Sequence, residues 1–410
     1  MPVSEAPQPA VNPLDDATAP PHIVVGITSP QTCLVLTGRL RALREAGFRV
    51  TLVSSPSKLL DSTAQDEGVA QSAIPMCRQI ALFADIVSLV RLWLLLRRLR
   101  PDVTEFSTPK AGLLGTLAAK LAGVPRRVYL LRGLKLERTT GYKRWILLAA
   151  ERLAASCADV VLCNSASLRT KALALRLASG AKLRLVGEGS SNGVDTERFS
   201  PGPSDVRRRL GLPSGGPVLG FVGRFTRDKG LPELIEAFDL ILKVEPAAHL
   251  LLVGWFDAAE DAVDSQLRAR IESHPSIVCT GYVADTAPYY RAMDVMILPT
   301  WREGFPNAVL EASATGIPVI TTFSTGSRDA VLPEVTGLLI PPGYPQAICE
   351  AALKLLSDPG RRSRMGRAAR AWVAEHFEDQ RVLGLTVALY RDLLNVRPRI
   401  GATVSASQPR

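Results

Sequence analysis

Two short stretches in the second half of this 410-residue chain carry residue types suited to holding a phosphorylated sugar. The first, GRFTRDKG (223–230), offers Gly223 for close backbone approach. Arg224 and Lys229 then stand at the start of a predicted helix, whose N-terminal amides already favour an anion. That is a diphosphate clamp in outline. The second, WREGFPNAVLEASATGIPVI (301–320), holds Glu303 and Glu311 eight positions apart. Here Gly304, Phe305, Pro306 and Asn307 supply a tight turn, and a helix starting near Asn307 places Glu311 about one turn inside. Glu303 would then stand at the carboxyl edge of a sheet, where α/β proteins bind ligands, with free helix amides beside it for phosphate. Carboxylates accept paired hydrogen bonds from hydroxyls. Cations for a diphosphate and two carboxylates for sugar and ribose hydroxyls describe a nucleotide-sugar site.

The first half offers different chemistry. Arg132 keeps its charge and cannot be a general base, but it can stabilise a departing or an acceptor phosphate; read structurally, it is a surface charge after a strand. Lys135, Arg138, Lys143 and Arg144 follow closely, a cluster that suits a diphosphate acceptor held at a membrane and equally an ordinary solvated helix face. Residues 22–200 contain 26 basic and 13 acidic side chains (+13), whereas residues 201–390 contain 19 and 22 (−3). The net positive charge therefore predicts an anionic partner for the first half: a membrane surface, a phosphorylated substrate or nucleic acid. Nucleic acid is disfavoured, because the basic half lacks interleaved aromatics and a recognition motif.

Other chemistries are absent from the pattern. The turn GITSPQTC (26–33) has one glycine where a dinucleotide fingerprint needs three, and VSSPS follows the second strand in place of an acidic residue. No Walker A sequence occurs. Six cysteines without CxxC spacing read as reduced thiols, and four scattered histidines predict no metal site.

The elements that must position these residues alternate between short apolar runs and amphipathic segments. HIVVGI (22–27), a helical stretch 34–46 and RVTLVSS (49–55) open a βαβ unit, hence a parallel sheet. The alternation restarts at PVLGFVGRF (217–225) and continues through HLLLVG (249–254), IVCTGY (277–282), VMILPT (295–300) and PVITTF (318–323). Two doubly wound Rossmann-like α/β domains follow, 22–195 for the acceptor and 196–379 for the donor, divided near SSNGVDTERFSPGPSD (190–205). A C-terminal helix, 380–395, can pack against either half or cross back to the first. Residues 1–21 read as a disordered lead-in and 396–410 as a tail. The run 80–100, IALFADIVSLVRLWLLLRRLR, is interrupted by Asp85, Ser88 and Arg91, which argues against a membrane span. A core helix with snorkelling arginines is the leading reading. An amphipathic helix with Arg91, Arg97, Arg98 and Arg100 facing anionic lipid is the other.

Through GRFTRDKG, VADTAPYYRAMDVMILPT, EGFPNAVLEASATGIPVI and GLLIPPG, the chain resembles the retaining GT-B glycosyltransferases of family 4 over residues 22–395. The resemblance implies two domains facing a cleft. Within it, Arg224 and Lys229 would bind the donor diphosphate, Glu303 the donor sugar and Glu311 the ribose. The backbone of Gly304 to Asn307 would lie over sugar and phosphate, and Tyr282 and Val283 beside the base. STPKAGLLGTLAAKLAGVPRRVYLLRGL (107–134) and GEGSSNGVD (187–195) resemble enzymes of capsule, exopolysaccharide and O-antigen assembly, which extend a polyprenyl-diphosphate-linked sugar. Two departures stand out: Arg132 precedes Gly133 where many members have histidine, and the glycine-rich first loop is reduced to Gly26.

The expected activity is transfer of a hexose or N-acetylhexosamine from a UDP-sugar to a lipid-linked acceptor, with retention and without a metal or cofactor. The expected setting is cytoplasmic, peripheral at the inner face of the plasma membrane. A GT-B sugar-nucleotide epimerase and a catalytically silent membrane adaptor are the alternatives.

Overall fold

The computed structural model describes residues 19–77, 81–213, 215–257 and 261–395. The lead-in up to residue 18 and the tail 396–410 lie outside the described residues. Seven strands, β1 (His22–Gly26), β2 (Arg49–Ser54), β3 (Ala70–Ala73), β4 (Val103–Ser107), β5 (Arg126–Leu131), β6 (Val160–Cys163) and β7 (Leu183–Leu185), form a sheet in the order 3-2-1-4-5-6-7. Six more, β8 (Val218–Val222), β9 (His249–Val253), β10 (Ile277–Cys279), β11 (Val295–Leu298), β12 (Val319–Thr322) and β13 (Gly337–Ile340), form a second in the order 10-9-8-11-12-13. All pairings within the strands are parallel. Each sheet is doubly wound, so each has a switch point, between β1 and β4 and between β8 and β11, where ligands of such folds sit.

The central strands are buried on both faces because helices cover both, which is why β1, β8 and β11 read as apolar runs, while β4, VTEFS, is buried with its polar residues. In the first domain the helices Arg39–Glu45 and Asp379–Leu393 cover one face. The other carries Leu82–Leu99, Pro109–Ala122 and Gly141–Cys157. Helix Pro109–Ala122 lies tight on the sheet because it has glycines where the rings stand: a Cβ on Gly115 would fall 2.1 Å from the Phe106 ring, and one on Gly112 2.3 Å from that of Tyr129.

Two sequence expectations need correction. The stretch 34–46 is not one helix: a 3-10 turn, Pro30–Leu36, gives way at Gly38 (φ +78°) to the short helix Arg39–Glu45. The run 80–100 is helical over Leu82–Leu99, but not as a core helix: it buries only Ser88, Leu92 and Leu96, because helix Pro109–Ala122 occupies the place against the sheet. Among the described residues no helix is long and apolar enough to cross a membrane.

The C-terminal helix crosses back to the first domain. Val387 and Tyr390 enter its core, and the Tyr390 hydroxyl donates to Glu105 on β4, which also pairs with Arg39 at 2.5 Å. All three side chains are buried, and burial pushes the Tyr390 phenol well above its ordinary value, so it stays a donor.

A second buried carboxyl makes stability depend on pH. Tyr129 donates to Glu151 at 2.7 Å, yet burial pushes the Glu151 carboxyl from 4.5 up to about 7. The folded state holds this proton more tightly than the unfolded chain. The group's stabilisation is therefore full below its ordinary value and is lost as pH rises to about 7, a fall of roughly 3 kcal/mol. Urea unfolding across that range should show Glu151→Gln losing less stability with rising pH than the wild type; parallel curves would exonerate Glu151.

Candidate active site

The donor-side cations hang from the end of β8. Gly223 (φ +149°) donates its amide to Val253 O at 3.0 Å, and Gly254 packs against it so closely that a Cβ there would fall 1.9 Å from Gly223 O. Arg224 follows in the loop rather than in a helix, its guanidinium paired with Asp257. Lys229 closes the 3-10 turn Arg227–Lys229. Gly230 (φ +75°) then reverses the chain into helix Leu231–Leu242, with no room for a Cβ beside Pro299 O.

The carboxylates hang from the ends of β11 and its helix. Glu303 sits in the loop after β11, its amide bonded to Thr325 O at 3.0 Å and its side chain paired with Lys229. The helix Asn307–Ala314 begins where the sequence predicts and puts Glu311 one turn inside. Glu311 is held from below by the Tyr290 hydroxyl at 2.8 Å, and burial raises its carboxyl above the ordinary range. Among the described residues no group of three His, Cys, Asp or Glu side chains is arranged to hold a metal.

These loops meet the first domain across a polar cavity of about 90 Å³. Arg132, Arg224, Lys229 and Arg302 bring four cations to its lining, and Asp228 and Glu303 two acids. Arg132 reaches in from the end of β5, donating from Nε to Ser107 Oγ at 3.3 Å and from Nη1 to Ser191 Oγ at 2.9 Å. Burial lowers its guanidinium to about 10, so it remains a cation at neutral pH. Its carbonyl touches the other domain: a Cβ on Gly304 would lie 1.9 Å from Arg132 O, and Gly133 (φ +133°) faces Gly304 N.

The remaining site candidates divide. Phe305 is buried among the second domain's core residues, and Pro306 precedes the helix as its N-cap. Tyr282 and Val283 do not line the cavity; Tyr282 is exposed, edge-on to Trp255 at 5.6 Å, and Val283 is half-buried. The four acceptor-side cations do not form one patch. Arg138 turns towards the second domain, 4.3 Å over the Trp301 ring and 3.7 Å from Asp228, because that ring and carboxylate face it. Arg144 donates to Leu136 O at 2.8 Å, while Lys135 and Lys143 are exposed. Sequence reasoning passed over Asp228, Asp257 and Arg302, although Asp228 lies inside GRFTRDKG and Arg302 directly precedes Glu303. For these two, a charge inside a predicted ligand loop was the available signal; Asp257 lies outside both loops.

Two facing Rossmann-like domains with this cleft between them define a glycosyltransferase of GT-B architecture. Residues 35–189 match the glycosyl transferase 4-like domain, and residues 216–358 the glycosyl transferases group 1. The chain is 35% identical over 369 residues to the capsular polysaccharide biosynthesis glycosyltransferase CapM of Staphylococcus aureus, covering 90% of this chain and 96% of that one. It is 28% identical, over 76% of this chain and 81% of the other, to an Escherichia coli enzyme named UDP-Gal:alpha-D-GlcNAc-diphosphoundecaprenol alpha-1,3-galactosyltransferase. The fold also matches HepE of Anabaena, solved with UDP and glucose (TM-score 0.72, 18% identity, 90% and 99% of the two chains). A further match is sucrose-phosphate synthase of Thermosynechococcus elongatus (TM-score 0.75, 21% identity, 92% and 100%). The chain belongs to the group 1 glycosyltransferases. It is an enzyme of that class, so the epimerase and silent-adaptor readings give way.

The glycine contact yields a test. Gly304→Ala must push the two domains apart, and misplacement by about 1 Å can cost on the order of a hundredfold in turnover. Small-angle scattering should report a larger radius of gyration with the melting temperature little changed; an unaltered radius with full activity would show that the contact does not set the cleft.

Proposed function

We propose that the enzyme moves a hexose or N-acetylhexosamine, with retention, from a UDP-sugar to a polyprenyl-diphosphate-linked sugar during assembly of a surface polysaccharide. It would work at the cytoplasmic face of an anionic membrane. The observation that carries this reading is the cavity where Arg132, Arg224, Lys229 and Arg302 surround Glu303. The names of the S. aureus and E. coli relatives, a capsule enzyme and a transferase to a diphosphoundecaprenol-linked sugar, support the acceptor and the pathway class.

In this reading the cations stabilise charge growing on the departing diphosphate, and they supply enough of it for the reaction to run without a divalent ion. Glu303 holds the sugar hydroxyls. Glu311, one turn inside the helix that follows, holds the ribose. The first domain lines the cavity with Arg132, Gly133 and Leu134, so the described lining offers no carboxylate from that side to attack the sugar. Front-face substitution fits such a lining. The bond from the anomeric carbon to the diphosphate oxygen breaks, the acceptor hydroxyl oxygen forms the new bond on the same face, and its proton passes to the leaving diphosphate. Arg132 then serves the phosphate on whichever side carries the greater charge in the transition state.

The test is thermal shift with UDP, GDP, ADP and their sugar conjugates, with and without Mg²⁺. A ligand at a hundred times its Kd stabilises by roughly 2.7 kcal/mol. Selective, metal-independent stabilisation by UDP is the expected outcome, and indifference to every nucleotide would overturn the donor assignment. Glu303→Gln should keep a near-normal UDP-induced shift in this assay, while its turnover in a transferase assay falls by at least about a hundredfold.

A further inference from the structure

The helix Leu82–Leu99 is amphipathic in the wrong sense for a protein surrounded by water. Its partners beneath are Ser88, Leu92 and Leu96, while Phe83, Ile86, Val90 and Leu94 point outward, with Phe83 83% exposed. These four follow one another at i, i+3, i+7 and i+11, so they form a single stripe along the helix. The helix Gly141–Cys157 repeats the arrangement: Tyr142, Trp145, Ile146 and Leu153 are exposed along one stripe, Trp145 at 71%. Both helices pack against Pro109–Ala122 on the same face of the first sheet, so the two stripes belong to one surface. By contrast, helix Leu231–Leu242 of the second domain fully buries Leu231, Leu234, Ile235, Phe238 and Ile241 and leaves none of its leucines, isoleucines or phenylalanine exposed. Contiguous exposed apolar side chains on this scale mark a docking surface.

Charge selects the partner. Exposed Arg91, Arg97, Arg98 and Arg100 flank the first stripe and its C-terminal end, and exposed Lys143 and Arg152 accompany the second. A protein partner would match apolar area with shaped apolar area; two convex stripes rimmed by cations match a fluid bilayer with anionic head groups. Tyr142 and Trp145 are the residue types that settle at such an interface, with a polar edge in the head groups and a ring in the acyl boundary. The stripe also begins beside the active site. Tyr142 lies in the first turn of the helix that follows the Lys135–Arg138 turn, whose Arg138 stacks on Trp301 across the cleft.

We propose that the helices Leu82–Leu99 and Gly141–Cys157 insert their outward apolar stripes into the interface of an anionic membrane. The enzyme is anchored there by burial of side chains and not by charge alone. The proposal deepens the reading above and rests on it for the reason a membrane is needed, a lipid-linked acceptor.

The test is co-sedimentation of the full chain with vesicles of phosphatidylcholine alone or mixed with phosphatidylglycerol, at low and high salt. Wild type should bind the mixed vesicles, retaining part of that binding at high salt, where screening removes the electrostatic share. The combined variant Phe83→Ser, Ile86→Ser, Leu94→Ser and Trp145→Ser should lose binding by at least about tenfold. Because these side chains are exposed, its melting temperature and its UDP-induced shift should stay those of the wild type. Binding that vanishes at high salt and is unchanged in the variant would overturn insertion. So would light scattering showing a wild-type dimer that the variant converts to monomer, which would assign the stripes to a second copy of the chain. The two readings fail separately: a UDP response without vesicle binding sinks the surface and leaves the UDP-sugar assignment, and vesicle binding without a UDP response does the reverse.

Discussion

The site depends on one backbone contact, the approach of the Arg132 carbonyl to Gly304. Three glycines make it possible: Gly133 and Gly304 face each other across the cleft, and Gly326 stacks behind, where a Cβ would meet Gly304 O at 2.5 Å. Loops from the ends of β5, β11 and β12 are thereby layered at backbone distance. Polar clasps surround the contact, with Ser167 accepting from Gly326 N at 2.8 Å and pairing with Asp329, and Thr325 donating to Glu137 at 2.7 Å. Interfaces of this polar kind hold domains in register without welding them, which suits a cleft that must admit and release substrates.

Within the cleft the second domain's three cations each lean on a carboxylate, Arg224 on Asp257, Lys229 on Glu303 and Arg302 on Asp228, while Arg132 is held by two serine hydroxyls. All six paired side chains keep some contact with solvent, so an anion entering the cleft can reach the cations. A diphosphate entering the cavity would replace carboxylates as the nearest anions, and the cations would already stand where its charge arrives. On the proposed reading Glu303 would then be freed from Lys229 to accept hydrogen bonds from hydroxyls. Preorganisation here consists of side chains held near their working positions by surrogate partners.

That the loops GRFTRDKG and WREGFPN meet at one cavity was legible in the sequence because their chemistry is local. Phosphate demands cations near helix amides and hydroxyls demand carboxylates, and GRFTRDKG and WREGFPN supply both within single loops. What escaped reading is what forms across distance. Arg138 looked like part of an acceptor cluster until the Trp301 ring and Asp228 appeared beside it from the other domain. Gly38 lay in plain view inside the stretch 34–46, yet apolar periodicity ran past it; a left-handed residue there breaks the helix whatever the flanking pattern. The run 80–100 shows the complementary limit. Composition identified an apolar helix correctly, but which side a neighbour covers is decided by helix Pro109–Ala122, whose glycines let it take the closer berth.

The ion cluster of Arg39, Glu105 and Tyr390 joins residues at opposite ends of the chain, the tyrosine lying 285 positions beyond the glutamate it serves. A ribosome delivers Glu105 and Arg39 long before Tyr390. Until the helix Asp379–Leu393 emerges, the first sheet must wait with part of one face open and a charged pair lacking its third member. The domain made first is thus the domain finished last, and its completion certifies that the second has been synthesised. Chains truncated before the last helix would carry an unsealed, partly apolar face, the state that chaperones and proteases recognise.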